Sequence, residues 1–188
     1  LTTFCQAKFR MDQSTLDKGL NTLSQLDPDL KKALAIHGKP DPRIRPQGFE
    51  TFLSTIISQQ ISTSAATAIT TRVRRLMPEC SAASLEKISN TELRQAGLSF
   101  RKIEYARGLA AAILAGRFNP KSLSTVDDEE AISQITSLRG FGQWSAEIYL
   151  MFSLGRTDIF PADDLALQVA LGRLKGLKER PTASLADG

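Results

Sequence analysis

Apolar residues recur at helical spacing along most of this chain, and nowhere do they alternate at period two long enough to build a sheet. What remains is a set of short helices, each needing a neighbour to cover its stripe. Gln13–Leu26 repeats Leu16, Leu20 and Leu23 before Asp27-Pro28 interrupts it, and Asp29–Ile36 is a second short amphipathic segment. Pro40, Pro42 and Pro46 bar regular helix from residues 39–46, which are expected as an extended connector. Phe49, Phe52, Leu53, Ile56 and Ile57 then share one stripe, and Ser62 or Ser64 can cap a helix running to Arg74. Further helices are expected over Ser84–Ile88, Thr91–Ala96 (ended by Gly97), Ser99–Ala115 (closed by Gly116) and Asp127–Thr136 (capped by Asp127). The last two are Gln143–Leu154 and Asp163–Leu174, with Asp158-Ile159-Phe160 extended at most. The expected fold class is all-α.

A chain of 188 residues, 41% apolar and 23% charged, can bury a core without staples, as one large domain or two small lobes. The net charge of +4 permits an anionic partner without demanding one. Cys5, Cys80 and His37 lie too far apart in sequence to suggest zinc, and two cysteines cannot supply a four-cysteine iron–sulfur cluster. His37 is expected as a surface or capping histidine. No apolar run reaches a membrane span, the longest being Ala110–Ala115, and Leu1–Lys8 has no signal-peptide core. The expected setting is intracellular, cytoplasm or nucleoid. Glu179–Gly188 is polar and small, expected either as a frayed tail or as the place where a C-terminal element has been lost.

Two local features carry chemistry. In Leu138-Arg139-Gly140-Phe141-Gly142-Gln143-Trp144 two glycines allow a tight reversal and close approach of backbone to a ligand. The first amides of a following helix lack intrahelical acceptors, and with the helix dipole they form an anion site. A plain helix–helix turn explains the same residues equally well. Downstream, Phe160-Pro161-Ala162-Asp163-Asp164 opens another helix. There Asp163 is expected as the structural cap and Asp164 as the chemical group.

Four motifs in order give the chain a resemblance to a known family. They are Gly48-Phe49-Glu50 running into Ile57-Ser58-Gln59-Gln60-Ile61-Ser62, Gly97-Leu98-Ser99-Phe100-Arg101-Lys102, the hairpin Leu138–Ala146, and Phe160–Leu165. Together they resemble the helix-hairpin-helix (HhH-GPD) DNA glycosylase superfamily, and within it the 3-methyladenine DNA glycosylase II (AlkA-type) branch. The resemblance implies a two-lobed helical fold over 12–188, with the hairpin at 134–150, a cleft between lobes and a short extension over 1–11. The additional N-terminal α/β domain of some relatives is not expected, since few residues precede the helical core.

The resemblance also implies roles. The family flips a damaged base out of duplex DNA and cleaves its glycosidic bond. By motif position Asp164 matches the catalytic aspartate. Trp144 lies where related glycosylase/lyases carry a lysine, which implies a monofunctional enzyme leaving an abasic site. Trp144, Ile148 and Leu165 are the expected base pocket, the last two aliphatic where some members are aromatic, with Tyr149 pointing elsewhere. Gly140, Phe141, Gly142 and Gln143 would hold the DNA backbone, and Gln60 or Ile61 would fill the gap left by the base. Arg101, Lys102, Arg72, Arg74 and Arg75 are weaker candidates for phosphate contacts. The backbone carbonyls of Thr136, Leu138 and Phe141 are expected to hold a monovalent cation, Na+ or K+, with no other cofactor. The expected partner is double-stranded DNA containing alkylated purines, bound by a monomer. A glycosylase for oxidised or mismatched bases, or a hairpin module that only binds DNA, are the alternatives.

Overall fold

A computed structural model describes residues 11–183, so Cys5 and the last five residues of the polar tail lie outside the described part. The described residues form ten α-helices, one 3-10 turn and one π turn, with no strand among them, as expected of an all-α chain. None of these helices is long and apolar enough to cross a membrane. The chain divides into two units, Arg45–Ala146 and the residues up to Ile44 together with those from Glu147 onward.

In the unit Arg45–Ala146, the Pro-rich connector leads into α3 (Phe49–Ser58), whose Thr51 hydroxyl donates to the Pro46 carbonyl at 2.6 Å. Of the apolar stripe, Phe52, Leu53, Ile56 and Ile57 are buried. The Phe52 ring meets Phe118 edge-on at 5.3 Å and Phe141 at 5.4 Å. Truncating a buried phenylalanine of this kind to alanine costs about 3–5 kcal/mol.

Short polar residues set where the helices of this unit start. Ser62 caps α4 (Thr63–Leu76) and Ser99 caps α7 (Phe100–Leu114), while Ser89 and Glu92 form a reciprocal capping box on α6 (Asn90–Gln95). The expected Ser84–Ile88 helix lies slightly upstream as α5 (Ala82–Glu86), because Ser81 accepts the Ser84 amide and fixes the start. Arg107 closes the far end of α5, its guanidinium donating to the carbonyls of Leu85 (2.6 Å) and Ile88. Asp127 caps α8 (Asp128–Thr136), as its position in the sequence implies.

In the other unit, Asp12 caps α1 (Gln13–Leu26) and Asp27 caps α2 (Pro28–His37), with Pro28 in the first turn. One Asp27 oxygen accepts the amides of Asp29 (2.8 Å) and Leu30 (3.3 Å); the other accepts from Lys175 Nζ at 2.6 Å. Lys175 lies just past α10 (Leu165–Leu174) and also reaches Asp29 at 3.0 Å. Lys175 holds the Asp27 carboxyl below the usual aspartate range, and the two carboxylates raise the Lys175 ammonium.

Two expectations for this region need correction. The helix expected over Gln143–Leu154 is α only through Tyr149 (α9, Gln143–Tyr149) and continues as a π turn, Leu150–Leu154. There the Leu150 carbonyl accepts the Arg156 amide at 3.1 Å and the amide of left-handed Gly155. The second correction concerns α10. It begins at Leu165, not at Asp163, and its N-cap is Asp164, whose Oδ1 accepts the Leu167 amide at 2.9 Å. The Asp164 amide donates to the Pro161 carbonyl (2.8 Å), so the turn consumes one residue more than the cap rule assumes.

Candidate active site

The hairpin joins α8 to α9 through a tight turn in which the Leu138 amide donates to the Ile135 carbonyl and the Phe141 amide to the Leu138 carbonyl, both at 3.1 Å. Gly140 has φ +97, and a β-carbon there would lie 2.4 Å from Cδ2 of the Tyr105 ring, so both backbone and space require glycine. Gly142 does neither: its φ is not left-handed and the space around it is open. Only the first of the two expected turn glycines is therefore demanded by the turn itself. The α9 ladder then starts with the Ala146 amide on the Gly142 carbonyl at 3.1 Å.

Phe141 needs a qualification as a DNA-contacting residue. Its ring is buried against Phe52 and anchors the hairpin in the core, which leaves only its backbone for a ligand. Leu138 and Ile135 are buried with it. Arg139 forms an ion pair with Glu104 of α7 on the outside.

An open depression of about 360 Å³ adjoins the hairpin. Its walls come from three places: Thr55, Ser58, Gln59 and Gln60 at the end of α3, Arg101 and Tyr105 on α7, and Gly140, Trp144 and Ser145 on the hairpin. The structure thus brings together, within one unit, the sequence candidates Gln60, Arg101, Gly140 and Trp144. Trp144 is 42% exposed, an unusual amount for an indole with only a packing role. Gln60 has φ +58, and no other non-glycine residue among those described has a positive φ. Ile61 beside it is 36% exposed.

The cationic candidates separate by what they touch. Lys102 donates to the Ile57 carbonyl at 2.7 Å and closes the C-terminal end of α3, and burial lowers its pKa. Arg72 donates to the Ala96 carbonyl at 2.7 Å and Arg74 pairs with Glu50, so both serve the fold. Arg75 is exposed but does not line the depression, whereas Arg101 is exposed and does. His37 is exposed in the last turn of α2, the surface position expected for it.

In the other unit, Gln168 is buried and its amide donates to the Ala162 carbonyl at 2.7 Å, holding the turn that presents Asp164. Asp163 is exposed and does not cap. Ile148 is buried, as is Tyr149 next to it, while Leu165 is 58% exposed. Sequence reasoning does not reach the support of Gly140 by Tyr105, the bond of Gln59 (itself part of the quoted motif) to Gly140, or the role of Gln168. The first two act over 35 and 81 residues of chain, a separation at which local patterning carries no signal. Among the described residues no cluster of three or more His, Cys, Asp or Glu side chains can hold a metal ion.

Helices α8 and α9, joined by a tight glycine turn in an all-helical chain, form a helix-hairpin-helix. The model for "HhH-GPD superfamily base excision DNA repair protein" matches residues 53–187, and the chain belongs to that superfamily. It is 30% identical over 176 residues to DNA-3-methyladenine glycosylase 1 of Schizosaccharomyces pombe, covering 90% of this chain and 77% of that protein. To the DNA-3-methyladenine glycosylase of Saccharomyces cerevisiae it is 35% identical over 138 residues, 68% of this chain and 46% of the other. Among solved structures it is similar to a DNA-3-methyladenine glycosidase from Bacillus halodurans, with TM-score 0.79 and 34% identity over 88% of this chain and 77% of that one. The Schizosaccharomyces pombe 3-methyladenine DNA glycosylase in complex with abasic DNA gives TM-score 0.79 and 28% identity, over 89% and 84% of the two chains.

Proposed function

We propose that this protein excises alkylated purines of the 3-methyladenine and 7-methylguanine type from double-stranded DNA. It hydrolyses the N-glycosidic bond and leaves an abasic site without cutting the strand. The relatives named above carry the names of 3-methyladenine glycosylases. The observation that supports the reading most is Trp144: a half-exposed indole, beside Gln60 and Gly140, at the position where lyases need a lysine amine.

In this reading the hairpin backbone at Gly140, Phe141, Gly142 and Gln143 receives a phosphate, and Gln60 or Ile61 occupies the space the base vacates. The indole of Trp144 faces the flipped purine, with Ile148 one turn further along α9 and Leu165 next to Asp164 at the start of α10, and a cationic alkylated base gains roughly 0.5–2 kcal/mol from an aromatic face. The positive charge makes the purine a good leaving group. The bond from C1′ to the ring nitrogen breaks with its electron pair leaving on the base, and the sugar develops oxocarbenium character. Asp164 carries the negative charge that stabilises it, fixed in direction by the Leu167 amide. Water adds to C1′ and passes one proton to the Asp164 carboxylate, which releases it to solvent.

The carbonyls of Thr136, Leu138 and Phe141 fit a monovalent cation by donor chemistry. All three are hard oxygens, and the Leu138 oxygen, which accepts the Phe141 amide, retains a second lone pair. Such an ion would add positive charge beside the phosphate. The protein would act as a monomer on chromosomal DNA, in the cytoplasm or nucleoid.

The test is incubation with duplex DNA carrying 7-methylguanine or 3-methyladenine. Free base should appear, with strand breaks only after alkali. Breaks without alkali would show a lyase; tight DNA binding with no base release would show a binding module.

A further inference from the structure

We infer that Gln59 is a positioning residue that sets where Gln60 stands relative to the hairpin. The inference rests on the glycosylase reading. Gln59 caps the C-terminal end of α3 with non-helical backbone (ψ 128), and its side-chain Nε2 donates to the Gly140 carbonyl at 2.7 Å, a tie between residues 81 apart in the chain. The Gly140 peptide sits inside the turn closed by the Phe141 amide on the Leu138 carbonyl at 3.1 Å, with so little room before the Tyr105 ring that a β-carbon would meet it at 2.4 Å. The tie therefore ends on a fixed point.

The next residue is the one non-glycine with positive φ among those described. A glutamine in the left-handed region is destabilised relative to ordinary backbone, and it persists only where its neighbours over-determine it. Two constraints do so here. Upstream, the Gln59 amide is bound to the hairpin. Downstream, Ser62 is committed to capping α4 by accepting the Ala65 amide at 3.3 Å. Gln60 is caught between them, on the wall of the depression that Trp144 also lines.

A wedge that enters a base stack is useful only if it arrives at a set distance from the phosphate grip. The Gln59–Gly140 bond makes that distance a property of one side-chain length. Removing the donor frees Gln60 to relax to ordinary backbone. The loss then falls on extrusion of the base rather than on cleavage of the bond.

The experiment compares wild type with Gln59→Leu, Gln60→Gly and the double variant, in single-turnover release of 7-methylguanine. Each is assayed on a fully paired duplex and on a duplex with an abasic site opposite the lesion. A 2-aminopurine next to the lesion reports extrusion by fluorescence. Gln59→Leu is expected to slow release from the paired duplex by about 10- to 100-fold, the scale of an ångström-sized misplacement. The fluorescence rise should shrink in parallel. With the lesion already unpaired, extrusion is easier and the defect should fall to about threefold or less. The double variant should be no slower than Gln60→Gly alone, since both changes remove one function. Equal slowing on both substrates, or multiplying defects in the double variant, would overturn the inference. So would wild-type rates for Gln59→Leu on the paired duplex. Absence of release by wild-type protein would instead remove the glycosylase reading, and the inference with it.

Discussion

Gly140 and Tyr105 are mutually exclusive with any larger residue at position 140: a β-carbon would meet the tyrosine ring at 2.4, 2.6 and 2.9 Å. Gly140→Ala therefore adds a crowding cost of about 1–3 kcal/mol to a backbone cost of about 1–3 kcal/mol at φ +97. In a Tyr105→Ala background only the backbone part should remain. Urea denaturation of the four proteins separates the two; equal costs in both backgrounds would show that the ring does not set the limit.

Asp164 both caps α10 and is the proposed chemical group, and the two roles can be separated. Asparagine caps about as well as aspartate, while alanine loses about 1 kcal/mol. Asp164→Asn should thus keep the melting temperature of the wild type yet lose base release by roughly 10²- to 10³-fold, the scale of removing a pre-organised charge. Asp164→Ala should lose both. Calorimetry beside a release assay distinguishes these; a fully active Asp164→Asn would remove the carboxylate from the mechanism.

Arg101 lines the depression, while Arg72, Arg74 and Lys102 hold the fold. Arg101→Ala should weaken binding to any DNA sequence and reduce the slope of log affinity against log salt by about one. Affinity measured across a salt series checks this. An unchanged slope would place Arg101 off the phosphates.

The bonds of Lys175 to Asp27 and Asp29 predict a pH window. Asp27 has a folded pKa below its unfolded value, so its contribution is present above about pH 4 and is lost as pH falls through the lowered value. Lys175 has a raised folded pKa, so its contribution is present below about pH 10 and is lost as pH rises through the raised value. The difference in melting temperature between wild type and Lys175→Met should be widest near neutral pH and close towards both extremes. A gap independent of pH would mean that packing of the lysine stem, not charge, carries the effect.

How far the sequence could be read follows from the range of each interaction. Helix starts marked by Ser62, Ser89, Ser99 and Asp127 depend on bonds to amides three residues ahead, so local spacing reveals them. The cap at Asp164 was displaced by one residue because two adjacent aspartates are chemically equivalent until the preceding turn picks one. The family motifs mark Trp144, Gln60 and Gly140, and the fold places all three around one depression. The Gln59 tie and the Tyr105 support are not marked in this way, since each joins segments that only the tertiary fold brings together. The burial of the Phe141 ring is equally invisible in the sequence, since the turn that offers its backbone says nothing of where its side chain packs.

The π turn at Leu150–Leu154 has a consequence for how this chain tolerates change in length. Its bonds span one residue more than those of an α-helix, so it stores a residue that the ladder does not need. Deleting one residue there would let the segment rewind as continuous α-helix with its hydrogen bonds intact. The residues of the wider π turn rotate the chain about as far as one fewer residue does at α pitch, so the following chain, including the turn before Asp164, would leave in nearly the same direction. The segment thus works as slack, and a lineage that lost one residue there would keep both a folded protein and the heading of its aspartate.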